Sequence, residues 1–575
     1  MSNNSNTKNM DTRKLAQPKP GSATLPPQTR QGTRETTHGR QKRILVLVTG
    51  GGYTNAAPLF ELASILASRG YLIEFGTLSG RDNWLSNWPF VSRFHIIGKA
   101  VPPNVEEENY LNMSKWDTDL TSNWASVFKT KLFLESSWPE VYASLKGIVQ
   151  DHESRPDFIL ADYWVEAARD VCLEHNIPLA MHWPQMPTAM LHAAYIPGTP
   201  GLQIDVLTSE FATIWQRLKN AFAIYTSLPY YLQYRSATKR MRASMGVTRQ
   251  PKVVSKPDYL CLTNSFFGLE AAKDLPPNVA AIGPVLSDSF VPLTEPLQMF
   301  LASRFRVLYI SMGTHVLLSH DRLCQILRGS IASLGVGMVD GIIWAIGSKA
   351  RAQLVQSELI VLPLLDSAKG LGPTSNISET VGGLLNNNHP SILFLEYAPQ
   401  RAILQDDRIA VFLSHAGPSS ANEAAFAGVP LITIPVYFDQ IQYAMRLRDA
   451  GVSVPLKKET FKAHNVTTAI SHIIEDSDRQ GPIATNVRRL RSIAQTASRR
   501  KYLAADLIEE TLADWEGRSI EMRVGVGRSR GMHLQTADTR MGWCKARNLD
   551  LWAIVSAATL VLVGVVSAVA VPLVT

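Results

Sequence analysis

The chain has 575 residues, 45% of them hydrophobic and 18% charged, with four cysteines and a net charge of +8. That length leaves room for roughly two to four domains with substantial cores and excludes a small scaffold stapled by disulfides. Cys172, Cys261, Cys324 and Cys544 are scattered, contain no CxxC pair to suggest zinc, and favour a reducing compartment.

The charge sits at the ends. Residues 1–43 carry nine Lys/Arg against two acids, and residues 516–548 carry seven against three, so the interior is slightly acidic. A basic balance of this origin describes two tails and gives no argument for nucleic acid binding. The tail 1–42, rich in Ser, Asn, Thr, Pro and Gln, reads as a disordered extension; it has neither the apolar core of a signal peptide nor a clear amphipathic presequence helix.

Arg43 begins RILVLV, a buried-strand run, followed by a helical pattern to Gly70 and a second strand, YLIEFGT. The turn between them, TGGGYTNAAP, resembles a dinucleotide loop only superficially. Counted from Gly50, the third glycine of GxGxxG is Asn55. Further units follow at PDFILAD (156–162), IPLAMHW, PDYLCLTNS (257–265) and AAIGPV (280–285), which predicts a first α/β domain over 43–290. Residues 211–235 are amphipathic and aromatic, with no strand signal. They fit helical core, a lid, the wall of an apolar acceptor pocket or a membrane contact.

A second α/β series starts at RVLYISMGTH (306–315) and continues through GIIWAIG, SILFLEYAPQ, IAVFLSHAG and VPLITIP, giving a domain over 291–515 that ends in helices. The Gly- and Asn-rich stretch 351–390 reads as a surface insertion. Two facing, doubly wound Rossmann-like domains would hold ligands at the carboxyl ends of both sheets. A basic linker, 516–550, leads to Leu551–Thr575, which runs 25 residues without a charge. About 20 apolar residues suffice to cross a bilayer. Arg528, Arg530, Arg540, Lys545 and Arg547 precede it, so the positive-inside tendency puts the body in the cytosol, held by a C-terminal transmembrane helix.

The most specific stretch is 397–440, YAPQRAILQDDRIAVFLSHAGPSSANEAAFAGVPLITIPVYFDQ. A strand ends in a small-residue turn that enters a helix near Ser420. Backbone N–H groups there favour a phosphate. His415 can donate to a phosphate oxygen. Glu423, placed in the first helical turn, can accept from both hydroxyls of a ribose, and Asp439 and Gln440 offer acceptor and donor groups for sugar hydroxyls.

These residues resemble the nucleotide-sugar signature of the UDP-dependent glycosyltransferase superfamily, of GT-B fold: W-x-PQ, then H-x-G-x-x-S-x-x-E, GVP and DQ. The resemblance covers about 43–515. It implies that Tyr397 stacks on the uracil in place of tryptophan, that Gln400 completes PQ, and that His415 and Ser420 contact the diphosphate. Gly417 would admit the backbone, Glu423 would clamp the ribose, and Asp439 and Gln440 would hold the donor sugar. Ser311, Gly313 and Thr314 resemble the loop that faces the nucleotide. Pro418 and Ser419 stand where plant members often have Trp-Asn.

The resemblance further implies transfer with inversion from a UDP-sugar, glucose being the expected sugar, with no metal and no cofactor besides the donor. Neutral donors and helix ends can stabilise the leaving diphosphate. In the family a histidine in the first strand-helix turn deprotonates the acceptor, oriented by an aspartate at the position of Asp162. The histidine position falls on Asn55, and an amide has no useful basicity. Asp162, another group or the acceptor's own acidity then supplies what histidine would; alternatively His182 or His315 serves as base, or the chain is a weakly active or inactive UDP-sugar-binding scaffold. Asn55 also fits a helix cap. The membrane anchor and the aromatic 211–235 segment point to a lipophilic small-molecule acceptor, such as a terpenoid, sterol, polyketide or lipid, and to a role in secondary metabolism or detoxification.

Overall fold

Two parallel sheets organise the chain in a computed structural model that describes residues 40–249, 256–354, 358–365, 373–524 and 531–570. Residues 1–39 of the expected disordered tail, Arg528 and Arg530 of the linker, and residues 571–575 of the apolar run lie outside the described residues. Lys42 onward forms one unit by its contacts.

The first sheet has seven strands in the order Val91–Gly98, Leu72–Leu78, Arg43–Val48, Phe158–Asp162, Leu179–Trp183, Leu260–Thr263 and Val279–Ala281. The second has six, in the order Ile392–Leu395, Gly341–Ala345, Val307–Ser311, Ile409–Ser414, Leu431–Thr433 and Ser453–Pro455. All neighbours within both sheets pair parallel. The central strands are covered on both faces, hence their continuous apolar runs. The predicted pair of doubly wound α/β domains is therefore present. Strand order reverses next to Arg43–Val48 in one sheet and next to Val307–Ser311 in the other. Ligands of such sheets bind beyond the carboxyl ends at that reversal, where the chain places Gly50–Asn55 with Asp162, and Met312–His315 with His415–Ser420.

Several expectations are corrected. Val91–Gly98 is an additional edge strand, inconspicuous in sequence because only its last two residues are buried. The stretch read as an insertion contains an antiparallel hairpin, Leu359–Leu365 with Pro373–Thr380, but its end, Val381–Leu385, is a buried helix of the second core. The long helix Lys501–Val524 returns to the first domain, where Ala504, Ala505, Ile508 and Leu512 join the core under Arg43–Val48. Part of the expected linker is packed as well. Met532 is buried in that same core, and Gln535 Nε2 donates to Asp258 O at 3.0 Å.

The aromatic segment lies in a long helix, Ile214–Ser244, started by a Thr213–Gln216 capping box. Its burial is inverted. Asn220, Ser227, Thr238 and Arg242 face inward, with Asn220 bonded to both backbone groups of Ile204 (2.6 and 2.8 Å) and Arg242 paired with Asp170 at 2.9 Å. Phe211, Ile214, Trp215, Leu218, Phe222 and Tyr225 face outward, with Phe211 91% and Trp215 73% exposed. Ala223 and Tyr234 are buried too, so the reading as helical core holds for part of the segment and fails for its exposed apolar residues. A 22-residue helix, Leu549–Ala570, occupies the expected membrane span, and among the described residues Leu549–Ser567 is the one helix long and apolar enough to cross a bilayer.

The helix Asp439–Asp449 is one of the links between the domains. Gln442 Nε2 donates to Gln203 O (2.8 Å), Tyr443 Oη to Pro184 O (2.6 Å) and Arg446 Nη1 to Gln185 Oε1 (2.9 Å), while Arg446 Nε pairs with Glu270 at 3.0 Å. Both members of that pair are buried, so Arg446→Ala would strand a carboxylate away from water. We expect it to cost about 3–5 kcal/mol, seen as a lower urea midpoint, with Glu270→Gln in the same chain recovering part of the loss.

Candidate active site

The strand Ile409–Ser414 delivers His415 to a turn in which Ala416 adopts φ 61°, a region that a side chain normally avoids. The helix behind it runs from Pro418 to Ala427, with Gly417 as cap and proline in its first position, where a missing N–H costs nothing. It thus begins two residues before the expected Ser420, and Glu423 falls in the second turn. Ser420 and Glu423 are three apart and share a face.

Two glycines make room for His415. A Cβ on Gly417 would lie 2.4 Å from its Nε2, and one on Gly313, at φ 75°, would lie 2.7 Å from its Cε1. Burial pushes the imidazole down to about 4, against a weaker pull from the Ser311 backbone, so it is neutral at pH 7. Gln400 ties this side together: its Nε2 donates to Glu423 Oε2 at 2.8 Å and to Ser420 Oγ at 3.3 Å, and Tyr309 Oη donates to its carbonyl at 3.3 Å. Burial raises the Glu423 carboxyl, opposed by Gln400 and Arg401. Tyr397 stands at the rim, 79% exposed.

Asp439 opens the helix Asp439–Asp449 after Phe438, itself at φ 48°. Burial raises its carboxyl to about 6 despite nearby backbone donors. Gln440 differs from expectation. Its carbonyl accepts from Val436 N (3.0 Å) and Tyr437 N (3.3 Å), which leaves only the amide N–H groups for a ligand.

On the facing sheet, Asn55 is the third residue of the helix Tyr53–Ser68 and no cap: the cap position is Gly52, without a side-chain bond. The Asn55 amide packs against Gly51 and faces the Asp162 carboxylate. Asp162 is fully buried. Burial raises its pKa, with His182, the Trp164 N–H (3.1 Å) and Asn55 acting in the opposite direction. His182 sits beside Asp162 in strand register, but its Nδ1 is 4.0 Å from Oδ2, an electrostatic contact beyond hydrogen-bond range. His182 is equally buried. Neither group opens onto the cleft.

His315 does. Its loop crosses from the second domain until Cε1 is 3.1 Å from where a Cβ on Gly52 would be. The ring stacks on Tyr110 at 4.6 Å and 24°, Nδ1 is 3.4 Å from Thr314 Oγ1, and Tyr437 Oη donates to the His315 carbonyl at 2.9 Å. Burial lowers its pKa against an opposing effect of Glu106, so the ring is neutral at pH 7. Glu106, Tyr110, Thr314 and His315 line a small pocket of about 120 Å³ between the domains. Tyr110 was not legible in the sequence, because it comes from the helix Pro103–Ser114, whose apolar pattern is weak.

Comparison with known proteins agrees with this geometry. The family described as UDP-glucoronosyl and UDP-glucosyl transferase matches residues 375–496. UDP-glycosyltransferase FPY2 of Fusarium mangiferae is 38% identical over 549 residues, covering 91% of this chain and 97% of its own length. UDP-glycosyltransferase stmC of Aspergillus ustus is 39% identical over 535 residues, covering 91% and 96%. Among solved structures, the glycotransferase of kitacinnamycin matches in fold with a TM-score of 0.55 at 17% identity, covering 82% of this chain and all of that one. The chain belongs to the UDP-glycosyltransferase family, with the GT-B fold, and is a UDP-dependent glycosyltransferase.

The raised Asp439 carboxyl gives a pH test. Protonation removes its charge and turns one oxygen into a donor, so KM for the UDP-sugar should rise as pH falls through about 6. Asp439→Asn should flatten this dependence and leave KM roughly tenfold higher at pH 7.5, the cost of one charged hydrogen bond.

Proposed function

We propose that the enzyme transfers a sugar from its UDP donor, with glucose the first to test, to a lipophilic small molecule in a single inverting displacement, with His315 as the general base. The observation that carries this reading is the approach of the His315 ring to Gly52, which joins the acceptor-side turn to the donor-side loop.

The acceptor lies over Gly52–Asn55, and neutral His315 takes its hydroxyl proton as the oxygen attacks the anomeric carbon. UDP departs from the opposite face toward the start of the helix Pro418–Ala427. There the helix N–H groups, His415, Ser420 and Thr314 receive the diphosphate charge. Glu423 and Gln400 hold the ribose, Tyr397 covers the uracil, and Asp439 accepts from the sugar hydroxyls while the Gln440 amide donates to them. Asp162, sealed from the cleft, orients Asn55, and Asn55 orients the acceptor. A base of this kind contributes roughly 10²–10⁴-fold. His315→Ala should therefore slow UDP release with alcohol acceptors by about that factor, leave UDP affinity nearly unchanged, and spare acidic phenols. Asn55→His in the same chain should restore part of the rate. Undiminished turnover of alcohols by His315→Ala would remove the base from this residue, and UDP binding without UDP release on every acceptor tried would remove the reaction.

We also propose that the protein is a single-pass membrane protein with its domains in the cytosol. Support comes from the apolar helix Leu549–Ser567, the preceding Arg540, Lys545 and Arg547, and the outward aromatic face of Ile214–Ser244. Acceptors dissolved in the bilayer then reach the cleft without crossing water. Chains ending at 548 should still float with anionic liposomes and lose that binding on Phe211→Ser, Trp215→Ser and Phe222→Ser together. Protection of the N-terminal tail from added protease in sealed membranes would reverse the topology.

A further inference from the structure

Away from the cleft, three side chains converge at the start of the helix His320–Gly335. His320 and Cys324 are one turn apart and share a face. Glu358 reaches them from the residue before the hairpin strand Leu359–Leu365. Cys324 Sγ lies 3.5 Å from His320 Nε2 and 3.9 Å from Glu358 Oε2, and one donor atom from each residue falls within 4.8 Å of the other two.

Those separations suit one particular kind of ion. A tetrahedral Zn²⁺ with a Zn–S bond of about 2.3 Å and a Zn–N bond of about 2.0–2.1 Å holds its sulfur and nitrogen ligands about 3.6 Å apart. Cys324 Sγ stands at that spacing from Nε2 but is also 3.7 Å from Nδ1, so it lies over the ring, and the imidazole must tilt to aim Nε2 at a shared ion. The tautomer is preset: Nδ1 is 2.8 Å from the Gln353 carbonyl, which can only accept, so Nδ1 carries the proton and Nε2 keeps its lone pair. A ring N–H held by a backbone carbonyl is the arrangement that orients metal-bound histidines. Cys324 is buried, Glu358 is partly buried and His320 is exposed, so an ion has access from solvent and a water can fill the fourth position.

We propose that His320 Nε2, Cys324 Sγ and a Glu358 carboxylate oxygen form a three-ligand Zn²⁺ site that staples the base of the hairpin to the helix following the His315 loop. On binding, the thiol proton, which now points to Glu358, leaves to solvent and the thiolate takes its place on the metal. Arg328, ion-paired with Glu358 in the empty site, competes with the ion for the carboxylate. Nothing in the transfer reaction depends on this site.

The test uses full-length protein in detergent, with Co²⁺ as the spectroscopic probe and Zn²⁺ as competitor. One equivalent of Co²⁺ should give a thiolate-to-metal charge-transfer band that an equivalent of Zn²⁺ abolishes. Cys324→Ser should lose the band, and His320→Ala should weaken binding by about tenfold or more. Arg328→Gln should tighten binding. Cys544→Ala, which removes the exposed cysteine, should change nothing. Zn²⁺ should raise the melting temperature of the wild type and leave that of Cys324→Ser unmoved. Absence of the band in the wild type, a reading that needs no variant, would overturn the proposal. So would a band that survives Cys324→Ser and disappears in Cys544→Ala.

Discussion

A buried ion pair, Arg446 with Glu270, lies where the two domains meet. Taking two charges out of water is expensive, and the cost is recovered only where geometry is tight and the remaining N–H groups find acceptors. Gln185 supplies one such acceptor, and Tyr443 adds a bond to Pro184 one turn earlier on the same helix. That helix begins with Asp439. The anchor and the Asp439 carboxylate are therefore carried on one helix of 11 residues, and the strained Phe438 before it is held by the Gln440 clasp on Val436 and Tyr437. A displacement of one ångström at a reacting centre can cost on the order of 10²-fold, which is reason enough to mount a binding group on the element that fixes the interface.

Burial also sets the charge state of the site. His415 and His315 are neutral at pH 7, and the carboxyls of Asp439, Glu423 and Asp162 all lie above their ordinary range. In an environment of low effective dielectric, oriented dipoles interact strongly with charge that develops during reaction, and they need no counterion to be displaced first. A leaving diphosphate meets fixed N–H and O–H donors and the end of a helix. The same desolvation that neutralises His315 makes it competent to accept a proton.

Much of this was legible in the chain. The alternation of apolar runs with helical periodicity specified two doubly wound sheets, and the spacing from Tyr397 to Gln440 marked one wall of the cleft, because a strand, a turn and a helix bring those residues together locally. What escaped depends on contacts between distant segments. His315 looks like one loop residue among many until the second domain is docked on Gly52, and Gln440 looks like a free ligand group until its carbonyl meets the backbone of its own loop. The helix start at Pro418 was misjudged by two residues because proline was read as part of the turn, although it is tolerated at a first helical position. The inverted helix Ile214–Ser244 defeats a periodicity argument outright. Its two faces are well separated in sequence, but the pattern alone does not say which one meets the protein, and here satisfied polar groups do.

The return of the helix Lys501–Val524 to the first domain has a mechanical consequence. Because Lys501–Val524 and Met532–Gln535 pack on the acceptor-side sheet, and Lys256 pairs with Asp538 at 2.9 Å, the C-terminal apolar helix is leashed to that domain and not to the donor-side one. Only ten residues lie between Asp538 and Leu549, a reach of at most about 40 Å when fully extended. A short leash keeps the acceptor-side sheet within that reach of the apolar helix, and the donor-side sheet follows it through the buried contacts of the helix Asp439–Asp449.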